Sequence, residues 1–102
     1  MAGLIWTEPA LQDLDAIADY ISLDRPEAAK ALVKKVFQKV SALRRFPKMG
    51  SIPRELTDLT YRQLVVPPCR VFYKVEGKHV YILYVMRSER LLRAETLTER
   101  EP

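Results

Sequence analysis

Three observations predict an α+β fold in the order β-α-α-β-β-β, with a helical hairpin packed on one face of a small, mainly antiparallel sheet. Two adjacent segments near the N-terminus carry apolar residues at helical spacing. Tyr61 to Arg87 (YRQLVVPPCRVFYKVEGKHVYILYVMR) reads as three consecutive runs rich in β-branched and aromatic residues. A short apolar run, Leu4-Ile5-Trp6, precedes all of them and is long enough for one further strand. Helices first and antiparallel strands after argue for α+β rather than α/β.

Thr7 has the character of a helix N-cap. Its hydroxyl can accept an orphan amide proton, Glu8 suits the positive end of the helix dipole, and Pro9 is tolerated in the first turn. Leu11, Leu14, Ile17, Ala18 and Ile21 then recur on one face, so the first helix is expected from about Glu8 to Ser22. Gln12, Asp13, Asp15 and Asp19 take the other side, as a solvated acidic stripe. Asp24 and Glu27 have the spacing of a capping box, with Pro26 in the first turn. The second helix follows to about Phe46, burying Ala29, Leu32, Val33, Val36, Val40 and Leu43. Pro47 ends it. Only Leu23 separates the first helix from the second cap, so the pair should form an antiparallel hairpin.

Residues 47–60 have loop composition, with a turn of helix expected around Arg54 to Leu59. Pro67-Pro68 breaks the first strand of the meander from the second, and Glu76-Gly77 suits a tight turn with the glycine at positive φ. The last strand, His79 to Met86, is apolar on both faces. Strict alternation puts Val80, Ile82, Tyr84 and Met86 on one side and Tyr81, Leu83 and Val85 on the other. Such a strand belongs in the centre of a sheet. After about residue 90 the chain is expected to form a short helix burying Leu91, Leu92 and Leu97, or to fray, with Thr98 to Pro102 disordered.

At 102 residues, 48% apolar and 29% charged, the chain is expected to be one domain, residues 1–102. Its single cysteine, Cys69, permits no internal disulfide, and the longest apolar run is far too short to cross a bilayer. No basic segment leads into a long apolar one at the N-terminus, so a cytoplasmic location is expected. The net charge of +4 hides an asymmetry: residues 1–27 carry −5 and residues 28–102 carry +9. A basic body of this kind suits an anionic partner, either nucleic acid or an acidic protein segment. No metal motif, phosphate-binding glycine loop or nucleophile–base spacing is present, so neither cofactor nor metal is expected.

The combination Ile5-Trp6-Thr7, Ala10-Leu11-x-Asp13-Leu14, Tyr20-Ile21, Pro26-x-Ala28-Ala29 and Phe46-Pro47-x-x-Gly50 resembles the RelE/ParE superfamily of type II toxins. Tyr61-Arg62-x-Leu64-Val65-Val66 and Pro68-x-Arg70-Val71-x-Tyr73, followed by the Val80 to Val85 strand, extend the resemblance, which is strongest to the ParE branch. It implies a toxin neutralised by a small ParD-like antitoxin. The apolar second face of the last strand, Tyr81, Leu83 and Val85, is where such a partner is expected. The alternative cover is the chain's own Leu91-Leu92 segment. ParE-like members are described as poisons that stall DNA gyrase on cleaved DNA, whereas RelE-like members cut messenger RNA on the ribosome.

Cleavage through the 2′-hydroxyl needs a base, an acid and cations for the phosphate. RNA-cutting relatives commonly carry a histidine or tyrosine at the end of the last strand, where this chain has Val85-Met86-Arg87-Ser88. The only histidine, His79, lies at the opposite end of that strand, ~25 Å away for eight extended residues. Glu55 and Glu89 could serve as bases and Tyr61 or Tyr84 as proton donors, but nothing in the spacing gathers them, so no catalytic residue is assigned, and Arg62, Arg70, Arg87 and Arg90 remain as candidates for contacting the target. Arg70 and Arg87, at strand ends, are favoured; ion pairs with Glu55, Asp58 or Glu89 are the alternative role for these arginines. The chain departs from the family pattern at Ser51, where many members are basic, and at Cys69, where many are aromatic; Arg54 is the nearest substitute for the first. The expected function is inhibition of gyrase by protein contact. Messenger-RNA cleavage is the runner-up, and a degenerate toxin that only binds its antitoxin is the third reading.

Overall fold

The computed structural model describes residues 1–57 and 60–102; the expected turn of helix at residues 54–59 falls partly outside them. In chain order the elements are β1 (Gly3–Trp6), α1 (Glu8–Ser22), α2 (Pro26–Ser41) with a 3-10 turn at Ala42–Arg44, β2 (Tyr61–Val66), β3 (Cys69–Glu76), β4 (His79–Arg87) and α3 (Ala94–Glu99). The sheet order is β1-β4-β3-β2. β1 runs parallel to β4, and the other two pairings are antiparallel. β4 thus lies inside the sheet, where its two apolar faces are expected to put it.

The helical hairpin covers one face. Ala10 and Leu14 of α1 and Leu32, Val36 and Val40 of α2 pack on Leu64, Val66, Val71, Tyr73, Val80, Ile82 and Val85. Thr7 docks the start of α1: its hydroxyl accepts the Ala10 amide (3.4 Å) and donates to the Ile82 carbonyl (2.7 Å), joining helix to central strand. At the far end of the hairpin the expected capping box is absent. The amides of Asp24 and Arg25 both bond to the Ile21 carbonyl, so Asp24 is spent in closing α1 and Arg25 stands at the N-cap with no side-chain bond. α2 also ends five residues before Phe46, tightening into the 3-10 turn, whose Arg44 carbonyl accepts the Ala2 amide.

Two turns organise the meander. β3 and β4 are joined through Gly77 (φ 60°) and Lys78, with Glu76 opposite His79. The cis Pro67-Pro68 peptide sits between β2 and β3. At the β2 edge, Ser51 exchanges two backbone bonds with Gln63 (3.0 and 2.7 Å), so the 47–53 loop covers an otherwise open edge. Gly50 beside it has a steric reason to be glycine. Its amide donates to the buried Tyr73 hydroxyl (2.9 Å), and a Cβ there would lie 2.6 Å from both that oxygen and the Gln63 carbonyl.

β4 departs from strict alternation. Phe72 pairs with Tyr84 but Tyr73 pairs with Ile82, so Leu83 is an extra residue and the strand bulges. The bulge changes the phase of everything after it. Val80, Ile82 and Val85 face the helices, whereas Leu83, Tyr84 and Met86 face the opposite side with Phe72 and Tyr61. That second face is covered by the chain itself, through Leu92 and Leu97 of the C-terminal segment. Burying each leucine contributes about 2 kcal/mol. The segment does not fray at Thr98. Arg100 pairs with Asp13 and donates to the Leu83 carbonyl (3.1 Å), and Glu101 accepts from Lys74 and from the Tyr61 hydroxyl (2.7 Å).

Asp13 is accordingly not part of a solvated stripe. Its carboxylate takes the Val85 amide next to the bulge (3.1 Å) and the Arg100 guanidinium beside it. Asp15, by contrast, is exposed. Asp13→Ala is expected to lower the unfolding free energy by about 2 kcal/mol, since it takes a partner from an amide and from a partly buried cation. Asp15→Ala should change it by less than about 0.5 kcal/mol. Urea unfolding of the two variants checks this, and equal stability would contradict the role given to Asp13.

Candidate target-contact site

The four candidate arginines do not form one site. Arg62 reaches back along the β2 edge, its Nη1 donating to the carbonyls of Gly50 (2.7 Å) and Lys48 (3.1 Å), and so it fastens the loop. Arg70 is buried. Its two Nη atoms fork onto the Glu55 carboxylate (2.9 and 2.7 Å), with further bonds to Gln63 Oε1 (3.2 Å) and the Arg90 carbonyl (2.8 Å). The guanidinium stacks over Phe72, 5.1 Å from the ring centroid, and its Nε has no partner among the described residues. Side chains of Arg70 and Glu55 are only 7% and 11% exposed. Glu55 also accepts the Leu92 amide (3.0 Å), so one carboxylate joins the 53–56 turn, β3 and the C-terminal segment.

Arg87 and Arg90 are brought together, at the end of β4 beside α1. The Arg87 guanidinium lies 6.0 Å from the Tyr20 ring centroid, and its Nε donates to Glu89 (2.8 Å). On one side of this Tyr20–Arg87 ridge is a cleft of about 620 Å³ lined by Asp13, Ile17, Tyr84, Glu89 and Arg90. On the other is a groove of about 690 Å³ between the turn end of the helical hairpin and the Pro67-Pro68 turn. Its floor is apolar, with Ile21, Ala28 and Leu32, and its rim carries Arg25, Lys35 and Arg87. Tyr20 (68% exposed) and Leu23 (84%) stand open to solvent at its lip.

Sequence reasoning reached Arg87 and Arg90 but missed this groove. The signal was an aromatic and a leucine outside the buried stripe of α1, at the end where the chain turns into α2. The expected partner face fares differently. Leu83 and Val85 are buried within the chain, on opposite sides of the sheet, because the bulge breaks their common phase. Tyr81 is half-buried on the Leu83 side.

Glu55 is held well below the usual carboxylate range, at about 2, chiefly by its hydrogen bonds from Arg70, which makes it a poor base. Burial pushes the Tyr61 and Tyr73 hydroxyls and the Cys69 thiol up. Glu89 is lowered by its own backbone amide and by Arg87. His79 is exposed at the opposite end of β4, its ring tilted against Tyr81 with ring centroids 6.0 Å apart. Beside Arg87 and Arg90 the cleft holds Glu89 and Tyr84, with Asp13 tied to Arg100 and Glu89 to Arg87; among the described residues no cluster of three metal-ligating side chains occurs.

The mixed four-stranded sheet with a helical hairpin on one face is the RelE/ParE superfamily fold. Residues 4–92 match the family described as ParE toxin of type II toxin-antitoxin system, parDE, and the chain belongs to that family. It is 36% identical over 92 residues to a protein named Toxin RelE2 from Caulobacter vibrioides, covering 89% of this chain and all of that one. A solved structure described as the chromosomal ParDE TA system from P. aeruginosa superimposes with a TM-score of 0.74 at 32% identity, over 87% of this chain and 98% of that one. The YoeB dimer of Staphylococcus aureus has the same fold, with a TM-score of 0.56 at 18% identity over the same shares. No helix among the described residues is long and apolar enough to cross a membrane.

The Glu55–Arg70 pair has a pH signature. A carboxyl whose pKa falls from 4.5 unfolded to about 2 folded adds stability above pH ~4.5 that is lost as pH falls toward 2. Glu55→Gln is expected to destabilise the protein by about 2 kcal/mol at pH 7 while flattening the stability loss between pH 5 and 2. Thermal unfolding of both proteins across that range checks it; parallel pH profiles would contradict the assignment.

Proposed function

We propose that this type II toxin inhibits DNA gyrase by protein contact, stalling the enzyme on cleaved DNA, and that a cognate ParD-like antitoxin neutralises it in the cytoplasm. The reading is carried by one observation: Arg87 and Arg90 face a cleft beside Tyr20 and Tyr84, while the chain's one histidine, His79, stands at the opposite end of β4. Such a cleft suits an anionic or aromatic surface, and its two carboxylates are already engaged, Asp13 by Arg100 and Glu89 by Arg87. Membership of the ParE family supports the same target. Arg70 contributes to it indirectly, through its bond to the Arg90 carbonyl, whereas Arg62 fastens the loop at the β2 edge.

A second reading, ribosome-dependent messenger-RNA cleavage, is favoured by the relative named RelE2 and by the charge of +9 over residues 28–102. Titrating the purified protein into gyrase, ATP and plasmid separates the two. Supercoiling should be lost while linear, gyrase-linked DNA accumulates. Intact supercoiling at excess protein, with messenger fragments appearing on translating ribosomes, would establish the second reading instead.

A further inference from the structure

The excess positive charge of this chain is concentrated in one tract. Residues 28–54 hold eight bases and no acid, whereas residues 55–102 hold eight bases against seven acids. Lys30, Lys34, Lys35 and Lys39 lie on α2, and Arg44, Arg45 and Lys48 follow it, all of them exposed. Cations elsewhere are neutralised in place: Arg70 by Glu55, Lys74 by Glu101, Arg87 by Glu89 and Arg100 by Asp13. Among the described residues of the tract only Lys30 makes an ion pair, with Glu27 at 3.6 Å on the open surface. Like charges held together on one rigid element repel, and an anion laid against them relieves that repulsion.

The arrangement of the lysines narrows the kind of anion. At ~100° per residue, Lys30 and Lys34 form one row along α2 and Lys35 and Lys39 a second, about 140° around the helix. Between the rows stand Ala31 and Gln38, both exposed and uncharged. The buried stripe of Ala29, Leu32, Val36 and Val40 lies on the opposite side and holds the helix to the sheet. The outcome is a rod of ~24 Å with cations on both flanks and an uncharged crest. The major groove of duplex DNA admits a helix, and a phosphate strand runs along each of its sides. A single strand would call for free aromatic platforms, but Phe37 is packed on Trp6 (ring centroids 4.9 Å) and Phe46 lies under Arg45 (5.9 Å). Protein interfaces are depleted in lysine, which disfavours an acidic protein in the same place.

We infer that the exposed face of α2 is a contact surface for duplex DNA, with Lys30, Lys34, Lys35 and Lys39 meeting the phosphate backbone without regard to sequence. Lysine suits this role, as a point charge on a flexible stem. Lys35 also lines the groove that Arg87 borders, so a duplex on α2 passes beside the Tyr20–Arg87 ridge. The contact is made with DNA itself, by residues other than Arg87 and Arg90. It therefore stands or falls separately from inhibition of gyrase by protein contact.

The test uses the full chain and labelled duplexes of about two helical turns in two unrelated sequences, read by fluorescence anisotropy. Both duplexes should bind equally well. With four phosphates contacted, affinity should fall about a hundredfold between about 50 and 200 mM salt, a log–log slope of about −3.6. Lys34→Gln/Lys35→Gln should weaken binding at least about fivefold and make the slope shallower by about 1.8. The control, Lys78→Gln/Arg93→Gln, removes the same charge from exposed positions outside the tract and should bind like wild type; thermal melts confirm that both variants fold. No binding by the wild type at low salt, or equal losses in the two variants, would overturn the inference. Single-stranded RNA competing better than duplex DNA would move the surface to a different ligand, and polyglutamate competing equally well would reduce it to a general anion face. Either result defeats the assignment.

Discussion

Everything in this fold depends on β4 being apolar on both sides. A strand of that kind is stable only when paired along both edges and covered on both faces. β1 and β3 supply the edges, the helical hairpin covers one face, and the C-terminal segment covers the other. The helical cover is extensive and joined to the strand by Thr7 through the Ile82 carbonyl. The second cover is slight and depends on charged residues at its last turn. The two faces thus differ greatly in how firmly they are closed.

Charge is used in two distinct ways. Asp13, Arg70, Glu55 and Arg100 are largely withdrawn from water and bond backbone groups at irregular features: the Val85 amide next to the bulge, the Leu83 and Arg90 carbonyls, the Leu92 amide. Removing any one strands its partner in a low-dielectric setting, which is why such groups are costly to mutate even where the pair adds little net stability. Arg87, Arg90, Arg25 and Lys35 line open grooves instead.

Much of this was legible in the chain. Leu14, Leu32, Val36 and Val40 are where helical periodicity puts them, and the glycine at 77 takes the positive φ its turn requires. The bulge at Leu83 was not legible, because Tyr81 to Met86 is apolar throughout and no polar residue marks the change of phase. Asp24 and Glu27 looked like a cap because local spacing cannot show that Asp24 is spent closing the preceding helix. Arg100 and Glu101 looked like a frayed end because their partners, Asp13 and Lys74, are distant in sequence. Arg70 could be read as a target contact or as an ion pair, and only its burial against Glu55 and Phe72 decides between them.

The central claim is that the arginines divide by role: Arg70 holds the fold and Arg87 with Arg90 act outward. The most direct measurement expresses the Arg87→Ala/Arg90→Ala double variant without antitoxin and follows growth, alongside the thermal melt of the purified variant. The account predicts a melting temperature close to wild type with growth inhibition largely abolished. Full growth inhibition by a folded double variant would contradict it.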